Sequence, residues 1–156
     1  MQILVDADAC PVVIRDIIIR AAIKREVKTL FIANHIFPVG NSSWVSLYQV
    51  PRGFDEADNE IVQRVEPGDL VITSDIPLAA DVLEKGGHVI TSRGERYTSG
   101  NIKQRLQMRD FMETMRSSAT EQQGGPPALS QVDRKTFSDQ FDRIITRELS
   151  KHSDSG

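Results

Sequence analysis

Cysteine occurs once in the 156 residues, at Cys10, which excludes an internal disulfide framework. The three histidines, His35, His88 and His152, fall in no Cys/His spacing of a zinc site. No apolar run approaches the ~20 residues needed to cross a bilayer, so no membrane partner is expected. The chain starts directly in a strand, without a basic-then-apolar leader, and a cytoplasmic protein is the expectation. Aromatic residues make up only 6%, which argues against an extensive base-stacking platform. No internal repeat is visible. What is present, 39% hydrophobic and 26% charged residues, suits a single globular domain over 1–150 with a flexible tail at 151–156.

The net charge of −3 is unevenly spread. Residues 1–92 carry 8 Lys/Arg against 13 Asp/Glu, whereas residues 93–116 carry 6 against 3. An acidic body beside a locally basic segment suits an anionic substrate held near metal ions. The same arginines can equally be a solvated helix face.

Strands and helices alternate. Ile3-Leu4-Val5 is an apolar run that stops at Asp6, as a buried parallel strand does. Pro11 opens a helix at about 11–25, where proline is tolerated in the first turn. Its apolar residues cover most of the circumference, so packing on several sides is expected. Further strands are expected at 28–34, at 45–50 (an edge candidate), at 70–73 and at 89–91, with helices at 55–64 and 77–85. Two more helices follow at about 101–117 and 133–150, separated by the Gly124-Gly125-Pro126-Pro127 stretch, a linker or a lid. This order predicts an α/β fold: a parallel sheet covered on both faces, three layers in all, with extra C-terminal helices.

The chemistry-bearing residues collect at strand ends. In open α/β sheets, ligands bind beyond the carboxyl ends of the strands. Asp6 and Asp8 end the first strand and, on an extended chain, point the same way. Asp75 ends the strand 70–73 through the turn Thr73-Ser74-Asp75. Asp58 shares one helical face with Ile61, Val62 and Val65, so it lies on or beside the buried stripe and needs a partner. Asp55 can cap that helix or join the site, and Ser74 or Asp75 can cap the helix that Pro77 begins. Like charges gathered this way repel unless a cation or a shared proton compensates. Hard oxygen ligands without Cys or His select Mg²⁺ or Mn²⁺. Asp6, Asp8, Asp58 and Asp75 are therefore the metal-ligand candidates, with Asp6, Asp58 and Asp75 also the catalytic ones. Two ions ~3.5–4 Å apart could activate a water for attack on a phosphodiester. Thr73, Ser74, Arg93, Arg96, Arg105 and Arg109 are the substrate-binding candidates, and Tyr97 can stack a base or simply pack. Cys10 lies near a helix N-terminus, which lowers a thiol's pKa, but no base is placed beside it; packing is the simpler role.

The segments Val5-Asp6-Ala7-Asp8-Ala9-Cys10-Pro11-Val12, Gly53-Phe54-Asp55-Glu56-Ala57-Asp58 and Ile72-Thr73-Ser74-Asp75-Ile76-Pro77-Leu78-Ala79 resemble signature segments of the YaiI/YqxD family. So do Arg93-Gly94-Glu95-Arg96-Tyr97-Thr98, Asn101-Ile102, Arg109 and Gly124-Gly125-Pro126. The resemblance runs over nearly the whole chain. It implies a PIN-like domain, a class that includes metal-dependent nucleases. Asp6, Asp58, Thr73 and Asp75 match the acidic pattern of that class, and Asp81 falls where a further acid would stand. Asp8 and Cys10-Pro11 depart from it.

The resulting expectation is a divalent-metal-dependent nuclease acting on RNA or single-stranded nucleic acid, its oligomeric state open. Two alternatives remain. Asp6-Ala7-Asp8 has the D-x-D spacing of a small-molecule phosphohydrolase, although Cys10 stands where a Thr or Val would be wanted and no lysine is clearly placed. A PIN-like fold can also serve as a non-catalytic module binding nucleic acid or protein.

Overall fold

The computed structural model describes residues 1–53, 55–118 and 128–154. Within them, six strands form one sheet and five α-helices cover it. The strands are β1 (Ile3–Asp6), β2 (Thr29–Ala33), β3 (Val45–Gln49), β4 (Leu70–Ile72), β5 (His88–Ile90) and β6 (Arg96–Tyr97). The helices are α1 (Val12–Arg25), α2 (Glu56–Arg64), α3 (Ile76–Glu84), α4 (Ile102–Ser118) and α5 (Gln131–Asp154). The strand order is β3-β2-β1-β4-β5-β6, with β3 at one edge as its alternating pattern suggests.

Alternation along each strand divides the core. Ile3 and Val5 of β1 face the layer of α1 and α5, with Ile14, Ile18, Phe137 and Phe141. Leu4 faces the other layer, formed by α2, α3 and α4, with Ile61, Leu78 and Val82. All three β1 residues are fully buried because both faces are covered, which is why the strand reads as a continuous apolar run. The fold is thus a three-layer α/β arrangement.

Four features differ from the sequence reading. The sheet is mixed: β6 is antiparallel to β5, pairing Val89 with Tyr97 and Ile90 with Arg96. Two residues are too few to show a period-2 pattern, and a turn makes the hairpin, with Thr91 N–H donating to Glu95 O and Gly94 at φ +85°. Next, α1 is buried along one stripe, Ile14, Ile18 and Ala22, while Val12, Val13 and Ile23 are 40–60% exposed. Its apolar circumference exceeds the sheet surface it meets. Third, α5 continues to Asp154, so the tail expected at 151–156 is helical for most of its length. Finally, the chain after Asp6 does not stay extended but turns through a 3₁₀ segment, Ala7–Ala9. The Gly124-Gly125-Pro126-Pro127 stretch lies outside the described residues. No helix among the described residues is long and apolar enough to cross a membrane.

Candidate functional site

The parallel register puts the carboxyl ends of β1 and β4 side by side, with Val5 opposite Ile72. Asp6 closes β1, and Thr73, Ser74 and Asp75 follow β4. Thr73 is buried and its hydroxyl works in two directions. It donates to Asp6 Oδ2 at 2.9 Å and accepts from the Asp75 backbone N–H at 3.0 Å. Asp75 is the N-cap of α3; its Oδ1 accepts from Leu78 N–H at 2.9 Å. One threonine therefore ties two strand ends to one helix start.

Asp58 reaches this edge from the first turn of α2 and shares a hydrogen bond with the Asp75 carboxyl. Burial, reinforced by the charges of Asp75 and Asp6 and by that bond, pushes the Asp58 carboxyl up to about 7. Asp6 is raised too, mainly by burial, with Asp75 and Asp8 adding to it and the Thr73 bond opposing it. Acids gathered at one edge repel when charged, and that repulsion favours the protonated form of Asp58. So the structure brings Asp6, Asp58 and Asp75 together as the sequence suggests.

Asp8 goes elsewhere. The 3₁₀ turn abolishes the two-residue alternation, and both Asp8 oxygens accept from Asn34 N–H, at 2.9 and 3.2 Å. His35 Nδ1 stands 3.0 Å from Asp8 Oδ1. Asp8 acts on Asp6 through its charge. Neither Asn34 nor His35 carries a sequence signal for this pairing; the register Asp6 opposite Ile32 brings the end of β2 alongside. Asp55 occupies the N-cap position of α2 in a left-handed conformation (φ +67°) and makes no side-chain cap bond. Its contribution is a charge felt by Asp58. Asp81 is exposed on α3 and does not perturb the cluster.

The basic candidates divide. Arg96 turns toward the amino end of β5, where its Nη2 lies 3.0 Å from His88 Nδ1; His88 Nε2 meets Glu148 Oε1 at 2.7 Å. This chain pins α5 to the sheet, so His88 is structural and Arg96 points away from the acidic edge. Arg93 Nη1 pairs with Asp133 Oδ2 at 2.5 Å, at the start of α5. Arg105 forms an ion pair with Glu95, although not a hydrogen bond of good geometry. Arg109 Nη1 is 3.8 Å from Asp110 Oδ1. Tyr97 is buried; burial, Glu95 and Asp75 raise its hydroxyl while Arg105 opposes them, so Asp75 and Arg105 both act on this ring. Ser74 is exposed beside the carboxylates and, with Arg93 and Tyr97, lines a cavity of about 450 Å³. Cys10 is buried, and its thiol is pushed up to about 12, first by burial. It packs in the core.

Among the described residues, no group of three or more His, Cys, Asp or Glu side chains has, as it stands, the arrangement to hold a metal ion. The donor chemistry nevertheless suits one. Asp6, Asp58 and Asp75 offer only hard oxygens, the donor type that Mg²⁺ or Mn²⁺ would take.

Comparison with known proteins gives one consistent result. The family model described as "Uncharacterized BCR, YaiI/YqxD family" matches residues 4–147. A UPF0178 protein of Vibrio atlanticus is 58% identical over 147 residues, covering 94% of this chain and 99% of that protein. A UPF0178 protein of Janthinobacterium sp. is 54% identical over 151 residues, 97% of this chain and 99% of its own length. One from Pseudoalteromonas translucida is 53% identical, covering 94% of this chain and 97% of its own. No solved structure matches the chain.

Proposed function

We propose that this chain, which belongs to the YaiI/YqxD family, is a divalent-metal-dependent phosphodiester hydrolase acting on RNA or other single-stranded nucleic acid. The observation that carries the reading is the carboxylate group at the β1/β4 edge, above all Asp58, held at about 7 against Asp75 and Asp6. A structural ion pair would supply a cation to such a group; here the charged neighbours are three more acids, Asp75, Asp6 and Asp55. Mg²⁺ or Mn²⁺, when bound, supplies that positive charge and the Lewis acidity that hydrolysis of a phosphodiester needs.

The residues of the chain set the conditions. Thr73 orients Asp6 by donating to Oδ2, leaving Oδ1 for the ligand side. Asp75 gives one oxygen to the cap of α3, which anchors its carboxyl to a rigid helix start. Asp58, raised to about 7, would have to give up its proton to serve as a ligand, so cation binding would strengthen with rising pH. Arg105 and Arg109, one helical turn apart on α4, lie on the helix that packs against α3 and offer positive charge to a strand crossing the edge.

The phosphohydrolase alternative is less well supported, because Asp8, its acid/base, accepts from Asn34 N–H and meets His35. The test is calorimetric titration of Mg²⁺ and Mn²⁺ into the parent and into Asp6→Asn/Asp75→Asn, followed by RNA cleavage assays on both. Binding and cleavage by the parent, lost in the variant, are expected. Equal cleavage by both preparations overturns the reading; binding of nucleic acid without turnover across metals moves the non-catalytic module ahead.

A further inference from the structure

The cavity beside the carboxylates has a composition of its own. Its walls come from three strand ends: Pro11 follows β1, Ser74 follows β4, and Ser92 and Arg93 follow β5. Tyr97 of β6 and Leu129, ahead of α5, complete it. One side is apolar, and the other presents hydroxyls, the Arg93 guanidinium and the carboxylate of Glu95, which is paired with Arg105. Its volume of about 450 Å³ lies in the range of small-molecule sites and is ample for one nucleotide. The wall is also fixed. Thr91 Oγ1 accepts from Arg93 N–H and from Glu95 N–H, both at 3.2 Å, and Gly94 N–H donates to Thr91 O at 2.9 Å. A Cβ on Gly94 would meet Thr136 C at 2.6 Å and Phe137 N at 2.7 Å, so this turn is seated directly on α5. Arg93 is held by Asp133 of the same helix while its side chain remains 37% exposed.

We infer that this cavity receives a single unstacked nucleotide of the substrate strand, adjacent to the phosphodiester held at Asp6, Asp58 and Asp75. The inference rests on the hydrolase reading for the nature of the strand. Sequence-tolerant recognition of RNA works on bases splayed out of the stack, which need an apolar wall for the ring and hydrogen-bonding groups for its edge. Pro11, Leu129 and the Tyr97 ring supply the first; Ser74 and Ser92 supply the second. Arg93 supplies positive charge toward a phosphate or a base edge. Ser74 sits between Thr73 and Asp75, so a nucleotide in the cavity is continuous with the acidic edge. An inorganic anion alone would leave the apolar wall unused, and a purely apolar ligand would leave the guanidinium and hydroxyls unmet.

The test uses the full chain in EDTA, so that it does not depend on metal binding. Amide NMR spectra are recorded during titration with AMP, CMP, GMP, UMP and, separately, inorganic phosphate. Saturable shifts at Ser74, at residues 92–97 and at Leu129 are expected with a mononucleotide and not with phosphate. Leu129→Trp, which fills the cavity, and Arg93→Gln, which removes its charge, are each expected to weaken binding about tenfold or more. Spectral dispersion confirms that each variant is folded, and Arg93→Gln decides if Leu129→Trp is not. The absence of shifts, shifts matched by phosphate alone, or binding unchanged in both cavity variants overturns the inference. If mononucleotides bind as expected but Asp6→Asn still cleaves RNA, the hydrolase site is wrong and the cavity stands. If cleavage depends on Asp6 but no mononucleotide binds, the cavity is wrong and the hydrolase site stands.

Discussion

Replacing Asp58 by asparagine removes a group in the cluster that changes charge near neutrality, and the metal-free protein should register this as pH-dependent stability. The carboxyl moves from 3.8 to about 7, first because burial disfavours its charge and then because Asp75 and Asp6 repel it. A shift of that size corresponds to roughly 4 kcal/mol between protonated and charged forms. Asp58 is partly exposed, and solvent screening reduces the figure to about 2 kcal/mol. A folded-state pKa above the unfolded value attaches stability to the protonated form. That stability is fully present below 3.8 and is lost as pH rises through about 7. An asparagine side chain at this position cannot charge, so the variant escapes the loss.

Urea unfolding followed by far-UV circular dichroism, in EDTA, at intervals from pH 5 to pH 8.5 measures the effect. Asp58→Asn should gain on the parent by about 1.3 kcal/mol between pH 5 and pH 8.5, the share of the loss that falls above pH 5. The difference between the two proteins is the informative quantity, because other shifted groups such as Glu148, which is lowered, affect parent and variant alike. Adding Mn²⁺ at pH 8 should stabilise the parent and leave Asp58→Asn little changed. A stability difference that stays constant from pH 5 to pH 8.5 would refute the raised Asp58 carboxyl.

Thr73→Val keeps the shape but loses the donor to Asp6 and the acceptor for Asp75 N–H. A cost of about 1–3 kcal/mol is expected by urea unfolding, with the Asp6 carboxyl rising further by NMR titration. Gly94→Ala combines a left-handed backbone with a Cβ 2.6 Å from Thr136 C. It should destabilise by about 2 kcal/mol or more as α5 is pushed off the turn, read as a lower thermal midpoint. Cys10, buried with its thiol at about 12, should resist iodoacetamide at pH 8 until urea unfolds the chain; labelling of the folded protein at the unfolded rate would contradict its packing role.

What the sequence by itself determined is the set of elements and the edge on which they deposit their acids. Ile3-Leu4-Val5 and Leu70-Val71-Ile72 are apolar without interruption because each residue meets a covered face, and a buried parallel strand leaves that trace in any order of reading. Their terminal aspartates then fall on one sheet edge by topology alone, and helical spacing turns Asp58 toward the core. These are local facts, legible within a few residues. Tertiary structure decided the rest. Whether Asp8 follows Asp6 depended on a 3₁₀ turn and on Asn34, twenty-six positions away. Which face of α1 is buried depended on the area the sheet offers, since the helix is apolar nearly all round. Arg96 could be assigned to the acidic edge or to His88 only once β6 was known to run antiparallel to β5. The approach of Asp58 to Asp75 needed α2 packed beside α3, whose N-cap is Asp75. Periodicity records burial along one element, whereas charge partners are chosen between elements, and distance in sequence carries no information about them.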